Sequence, residues 1–411
     1  MSFETLGLDP ALLRAAADRG YAAPTAIQRE AIPPILQGRD LLGAARTGSG
    51  KTAAFALPLL QRLVQQPQAP RVLRALVLVP TRELAAQVGE AMRGLAQHLP
   101  VRPKIAVAFG GVSINPQMMA LRGGADVMVA TPGRLLDLVD RRALRLSAVS
   151  MLVLDEADRL FDLGFADELG RILALLPARR QNLLFSATFP QAIQSLAEAQ
   201  LHDPVRVEST EEKTAEPAIL QRAIEVDAAK RTQLLRQLIE KSGWARVLVF
   251  VATKHAAETV ADKLRRAGVE AEAFHGLLSQ GKRTQVLADF KASRIKAVIA
   301  TDLAARGIDV IQLPVVVNYD LPRSAVDYVH RIGRTGRAGQ SGLAVSFVSA
   351  ATEAHFSLIE KRQGLTVPRE RVAGFEPAEA APPPGAGTGG IKGKRPSKKD
   401  KLRAAAAAAS R

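Results

Sequence analysis

The chain has 411 residues, 47% of them hydrophobic and 23% charged, with no cysteine and a formal charge of +16. That length exceeds one ordinary core and predicts two domains, and the missing thiols exclude disulfides, thiolate nucleophiles and cysteine-based zinc sites. The excess of Lys/Arg points to a polyanion, nucleic acid or an anionic membrane surface. Eight Lys/Arg between Ile391 and Arg411, against Asp400 alone, hold part of it and leave +9 on the remainder, so the folded part is basic as well. Met1 to Pro10 lacks the basic-then-apolar order of a secretory signal, and no apolar run reaches membrane-spanning length. A soluble cytoplasmic protein with no membrane contact is the expectation.

In chain order, Phe3 to Gly20 spaces its apolar residues as a helix does, and Pro24-Thr25-Ala26-Ile27-Gln28 opens a second helix. The run Asp40 to Ala44 enters Ala44-Ala45-Arg46-Thr47-Gly48-Ser49-Gly50-Lys51-Thr52 as a strand end, and Ala53 to Gln65 leaves it with helical spacing. Glycines where a strand turns into a helix let backbone N–H groups hold phosphate oxygens. In this reading Gly48 and Gly50 allow close approach, Lys51 reaches the terminal phosphates and the Thr52 hydroxyl coordinates magnesium. Ala45 stands at the first glycine position of G-x-x-x-x-G-K-[ST]. An ordinary strand–turn–helix connection is the alternative for this stretch taken alone.

Strand-like runs follow at Ala75 to Val79, Ile105 to Phe109, Asp126 to Ala130, Met151 to Leu154 and Asn182 to Phe185, with amphipathic stretches such as Glu83 to His98 and Ala166 to Leu176 between them. Such alternation predicts an α/β fold, a parallel sheet covered on both faces, with its active edge at the carboxyl ends of the strands. Met151 to Leu154 delivers Asp155-Glu156-Ala157-Asp158 to that edge. Adjacent carboxylates there are costly without a cation or water between them; Asp155 reads as the magnesium-side ligand and Glu156 as the group that polarises the attacking water, against the alternative of a simple acidic helix start.

Polar residues 207–217 read as a linker. Alternation resumes at Val247 to Val251, Ala271 to Phe274, Ala297 to Ala300, Val315 to Asn318 and Ala344 to Val348. In this second half His330-Arg331-Ile332-Gly333-Arg334-Thr335-Gly336-Arg337 is either a solvated basic turn or a source of arginine for a transferring phosphoryl group; the second reading makes hydrolysis depend on closure of the two domains. From Phe375 the chain becomes Pro-Ala-Gly rich, then Lys-rich, then Ala404 to Ala409, a composition that predicts disorder.

With these clusters in place the chain resembles the DEAD-box RNA helicases of superfamily 2. Further matches are Phe3 with Pro24 to Gln28, Pro80-Thr81-Arg82-Glu83-Leu84, Gly110-Gly111, Thr131-Pro132-Gly133-Arg134, Ser186-Ala187-Thr188, Val249-Phe250, Gln280 with Arg283, and Ala300-Thr301-Asp302 through Arg306-Gly307-Ile308-Asp309. Phe109 to Met119 and Ser279 to Asp289 are most similar to the bacterial RhlE-type subgroup. The resemblance implies two tandem RecA-like domains: an adenine-recognition segment at 1–29, the ATP-binding domain at 30–206, the linker at 207–217, the second domain at 218–370 and a disordered basic tail at 371–411.

The same resemblance implies ATP and Mg2+ as cofactors. Phe3, Thr25, Gln28, Thr47, Gly48, Ser49, Gly50, Lys51, Thr52, Gly307 and Asp309 would bind nucleotide, with Gln28 on the adenine edge and Phe3 stacked on the base. Outside the resemblance, Gln28 reads as a surface helix residue and Phe3 as a core anchor. Lys51, Asp155, Glu156, Arg334 and Arg337 would be catalytic, Thr52 and Asp155 would ligate the metal, and Ser186, Thr188, Asp158 and His330 would couple nucleotide state to RNA. RNA contacts would fall on Thr81, Arg82, Gly110, Gly111, Thr131, Gly133, Arg134, Thr253, Gln280, Arg283, Thr301 and Asp302, a set of backbone amides, hydroxyls and arginines suited to phosphate and 2′-OH. The implied activity is sequence-independent, RNA-stimulated ATP hydrolysis that unwinds short duplexes or remodels ribonucleoproteins; an ATP-gated RNA clamp or a DNA translocase are the competing readings. A monomer is expected, working with ribosome-assembly or RNA-decay proteins. Arg46 stands where the family commonly has Gln.

Overall fold

Strands that are covered on both faces must be apolar at every position, and that is how the central strands of this chain read. The computed structural model describes residues 2–45, 48–66, 71–208, 219–305, 313–336 and 341–378. They form two units, one ending at residue 208 and the other beginning at residue 219. The first holds seven strands: β1 (Leu41–Ala44), β2 (Ala75–Leu78), β3 (Ile105–Ala108), β4 (Val127–Ala130), β5 (Met151–Leu154), β6 (Gln181–Ser186) and β7 (Val205–Glu208). They run parallel in the order β3-β4-β2-β5-β6-β1-β7. Every residue of β2, β4, β5 and β6 is buried, and helices such as Lys51–Gln65, Arg82–Leu95 and Pro132–Asp140 cover the faces.

This strand order sorts the loops along one edge. Those after β1, β6 and β5 are neighbours, and those after β2, β4 and β3 form the other half of the same edge. Gly43 is the one strand position whose lack of a side chain matters here: it pairs with Phe185, and a Cβ would fall 2.6 Å from that ring. The ring is fully buried and set 5.6 Å from Phe55, so it has nowhere to go.

The second unit repeats the plan with β8 (Ile219–Glu225), β9 (Val247–Val251), β10 (Ala271–Phe274), β11 (Ala297–Thr301), β12 (Val315–Asn318), β13 (Gly342–Val348) and β14 (Arg369–Glu370). These are also parallel, in the order β10-β11-β9-β12-β13-β8-β14.

Two expectations are corrected. The linker does not begin at residue 207: Val207 is buried, and Val207 and Glu208 pair with Gly43 and Ala44 as the end of an edge strand. Nor does order stop at residue 370. Val372 and Phe375 pack against the second core, and the Ala378 amide donates to Asp227 Oδ2 at 2.9 Å. The remainder of the proposed linker and tail, 209–218 and 379–411, lies outside the described residues.

Candidate functional site

The turn after β1 is braced by the helix Ala26–Leu36 that precedes it in sequence. Gln28 Oε1 accepts the Thr25 N–H at 2.9 Å while its Nε2 donates to Gly50 O at 3.1 Å, and Thr25 Oγ1 donates to Ser49 O at 2.8 Å. Gly48 and Gly50 have φ of 89° and 92°, the left-handed region that glycine enters freely. A Cβ on Gly50 would also stand 2.4 Å from Gln28 Nε2, so the brace and the glycine require each other. Lys51 is buried and its Nζ donates to Ala45 O at 2.8 Å, which holds its charge inside the turn. Thr52 is half-buried on the first turn of the helix Lys51–Gln65.

Two residues differ from the adenine-reading picture. The Gln28 amide already spends its oxygen and one N–H on the turn, and the residue is only 4% exposed. Phe3 is a core side chain whose ring lies 6.5 Å from that of Tyr21 at an angle of 27°, so it anchors the N-terminal segment. In this geometry Gln28 braces the turn, whereas Phe3 belongs to the first core. Arg46 and Thr47 lie outside the described residues.

Across the same half-edge, Asp155 ends the run from β5. Its Oδ1 accepts the Glu156 N–H at 3.0 Å, and burial pushes its carboxyl up to about 6 against the opposing pull of Lys51. A buried acid raised in this way is stabilised in its ionised form by a cation. Glu156 has φ 51° and ψ 53°, a left-handed conformation that costs a non-glycine residue about 1–2 kcal/mol; strain of this kind is retained where a side chain must be aimed. Asp158 is committed elsewhere: its Oδ2 accepts both the N–H and the hydroxyl of Thr188, at 3.0 and 2.8 Å. Ser186 Oγ donates to Thr188 O at 2.7 Å and accepts the Asp158 N–H at 3.3 Å, tying the ends of β5 and β6 together.

Among the described residues there is no group of three or more His, Cys, Asp or Glu side chains able to hold a metal. The donors that remain, the Asp155 carboxylate and the Thr52 hydroxyl, fit a magnesium ion that takes its other ligands from phosphate and water.

The other half of the edge is bare backbone framed by arginines. Thr81 Oγ1 accepts the Leu84 N–H at 3.2 Å and caps the helix Arg82–Leu95. The Arg82 guanidinium lies over Gly111, whose φ is 77° and whose Cβ would be 2.0 Å from Nη1. Added Cβ atoms on Gly110 and Gly133 would meet none of the described residues within 4 Å. Thr131 is buried, and so is Arg134, which donates from Nη2 to Val112 O at 2.8 Å and pairs with Asp137 at 3.4 Å; it supports the loop from below.

In the second unit Thr253 caps the helix Lys254–Arg266 through the Ala256 N–H at 3.0 Å. Gln280 and Arg283 lie on the helix Gln280–Lys291, with Arg283 buried and 5.1 Å from the centre of the Phe274 ring. Thr301 ends β11. Asp302 is held by Arg331 through two bonds of 2.6 and 2.7 Å. Arg331 also donates to Asn318 Oδ1 and Asp320 O and lies 4.9 Å over Phe250, so the first arginine of the cluster is a structural tie. Its place directly after His330 gave it no distinguishing signal in the sequence.

Arg334 is half-buried, with its N–H bonded to Arg331 O at 3.1 Å and its carbonyl accepting the Leu313 N–H at 3.4 Å; His330 is partly buried on the helix Ala325–Ile332. Gly307, Asp309 and Arg337 lie outside the described residues. Arg331→Met should lower the stability of the second unit by about 3 kcal/mol, because Asp302 is left without its countercharge. Chemical denaturation followed by the fluorescence of Trp244, in that unit's core, reads this directly; an unchanged midpoint would remove Arg331 from its role.

Comparison with known proteins gives a consistent neighbourhood. A family profile described as DEAD/DEAH box helicase matches residues 25–196, and one described as Helicase conserved C-terminal domain matches residues 230–339. The ATP-dependent RNA helicase DeaD of Mycobacterium tuberculosis is 44% identical over 367 residues, 89% of this chain and 64% of that protein. The DEAD-box ATP-dependent RNA helicase CshA of Bacillus cereus is 40% identical over 88% of this chain and 68% of its own length. Among solved structures, S. cerevisiae Dbp5 bound to RNA and ADP BeF3 superposes with a TM-score of 0.78 at 33% identity, covering 90% of this chain and 95% of that one. The chain spans less than two thirds of the length of the DeaD relatives it matches.

Proposed function

The chain belongs to the DEAD-box RNA helicase family, and from that premise we propose that it hydrolyses ATP in response to RNA and uses the cycle to separate short duplexes. The observation that supports this best is the continuity of one edge. The acids after β5 and the turn after β1 lie on the same sheet edge as Gly110 and Gly133, and the Asp158–Thr188 tie joins the ends of β5 and β6, so nucleotide and strand would share one edge.

In the proposed mechanism Lys51 releases Ala45 O to meet the terminal phosphates, and Glu156 orients and deprotonates the attacking water. Thr52 and Asp155 would hold magnesium, which would neutralise charge on the phosphates when bound. Arg334 is assigned the countercharge for the transferring phosphoryl group. Thr81, Gly110, Gly111 and Gly133 in the first unit, with Thr253 and Gln280 in the second, meet phosphates and 2′-OH groups, a pattern without base readout. Each stacked step of a duplex holds roughly 1.4 kcal/mol, using the DNA value, so deforming a few nucleotides releases only a short helix.

Phosphate release measured with and without single-stranded RNA tests the proposal: strong stimulation supports it, and turnover indifferent to RNA removes it. Gly133 supplies a sharper probe. A glycine inside the helix Pro132–Asp140 costs up to about 1 kcal/mol relative to Ala, and none of the described residues occupies the space its Cβ would take. Gly133→Ala should therefore hold or raise the melting temperature while raising the RNA concentration needed for half-maximal ATPase. Gly170→Ala, in an equally open position of the helix Ala166–Leu175, should change only the melting temperature. Equal RNA dependence in both variants would place the strand elsewhere.

A further inference from the structure

The loop assigned to RNA leaves β3, an edge strand of the first sheet, where backbone groups on the free side have no neighbouring strand among the described residues. At Phe109, one residue beyond β3, that free side is taken by a side chain. Gln117 Oε1 accepts the Phe109 N–H at 3.2 Å and Gln117 Nε2 donates to Phe109 O at 3.1 Å. A primary amide carries one acceptor and one donor face in the arrangement of a peptide group, so Gln117 pairs with Phe109 as one more residue of strand would.

The helix that carries it, Asn115–Ala120, has no buried side chain of its own. Its Met118 packs, half-buried, against the core, and Gln117 adds the polar tie that joins this helix to the loop at Phe109. Three residues further on, Arg134 Nη2 holds Val112 O at 2.8 Å, and between these ties Arg82 covers Gly111 while Gly110 faces open space. Phe109 to Val112 is thus clamped at both ends, with its smallest residue presented outward.

We infer that Gln117 is a positioning residue for RNA: it fixes the Gly110–Gly111 backbone in the shape that receives a strand, without touching the strand. The inference rests on the RNA reading of this edge proposed above. A preformed loop loses less conformational freedom when the strand arrives, and that saving appears in affinity rather than in the rate of the loaded enzyme.

The test uses the full chain, a decauridine strand and two substitutions, Gln117→Ala and Gln117→Met. Met keeps the length and packing of the side chain and removes both hydrogen bonds. Both variants should need about five to twenty times more decauridine for half-maximal ATPase, in line with the loss of two ordinary hydrogen bonds. Turnover at saturating RNA and turnover without RNA should stay near wild-type values. A Met variant with wild-type RNA dependence would show that packing alone matters and overturn the inference, as would a fall in saturated turnover with unchanged half-saturation. Wild-type protein that decauridine does not stimulate would instead overturn the RNA reading, and the inference with it.

Discussion

Glu156→Gln is expected to slow RNA-stimulated ATP hydrolysis by about 10²–10⁴-fold, the range for loss of a positioned general base, while RNA binding in the presence of ATP stays within a few-fold of wild type. Within this single turn the other two carboxylates are already committed. Asp158 spends its carboxylate on the Thr188 amide and hydroxyl, and Asp155 points an oxygen back at the Glu156 N–H from a buried position. The Glu156 carboxylate has no hydrogen-bond partner among the described residues, and its backbone sits in the left-handed region at φ 51°. Strain that serves no packing purpose is consistent with aiming the side chain at a reacting group. Gln keeps the shape and removes the base, so binding steps survive and the chemical step does not. Single-turnover hydrolysis beside RNA binding by fluorescence anisotropy separates the two. Turnover near wild type would mean that another group takes the proton.

Much of this was legible in the sequence because the chemistry sits where periodicity is strongest. Met151 to Leu154 can only be an interior strand, and the acids that follow it must emerge at the carboxyl edge. Thr81, Gly110 and Thr131, which the resemblance singled out, likewise follow β2, β3 and β4. What escaped was marginal in burial or specific in partner. β7 alternates half-exposed and exposed residues around Val207, and β8 carries Gln221 and Arg222 in its middle, so neither offers an apolar run. Arg331 and Gln117 look like any polar helix residue until the fold brings Asp302 and Phe109 to them. Gln28 was legible as belonging to the nucleotide region but not as the brace of its turn, because a partner in space, Gly50, decides which of its atoms remain available.

Asp155→Asn should separate stability from function in the opposite direction to most core substitutions. Burial, reinforced by Glu156 and Asp158 and opposed by Lys51, raises the Asp155 carboxyl to about 6, above the ordinary value near 3.9. The folded state therefore binds this proton more tightly than the unfolded chain. The stabilisation that comes with protonation is full below about pH 4 and lost as the pH rises through about 6. At pH 7.5 the metal-free protein carries an ionised, buried carboxylate at a cost on the order of 3 kcal/mol. Asn removes that cost and still accepts the Glu156 N–H, so the first unit should melt about 6–12 °C higher than wild type at pH 7.5 without magnesium. The advantage should shrink as the pH is lowered towards 5, where wild-type Asp155 takes up its proton. Adding magnesium and ATP should reverse the order, because only the carboxylate gains a cation, and RNA-stimulated hydrolysis by the variant should fall by about 10²-fold or more. Calorimetry across this pH range decides the matter: an Asn variant that melts with or below wild type at pH 7.5, or an advantage that ignores pH, would mean that Asp155 is not held as a buried anion waiting for its metal.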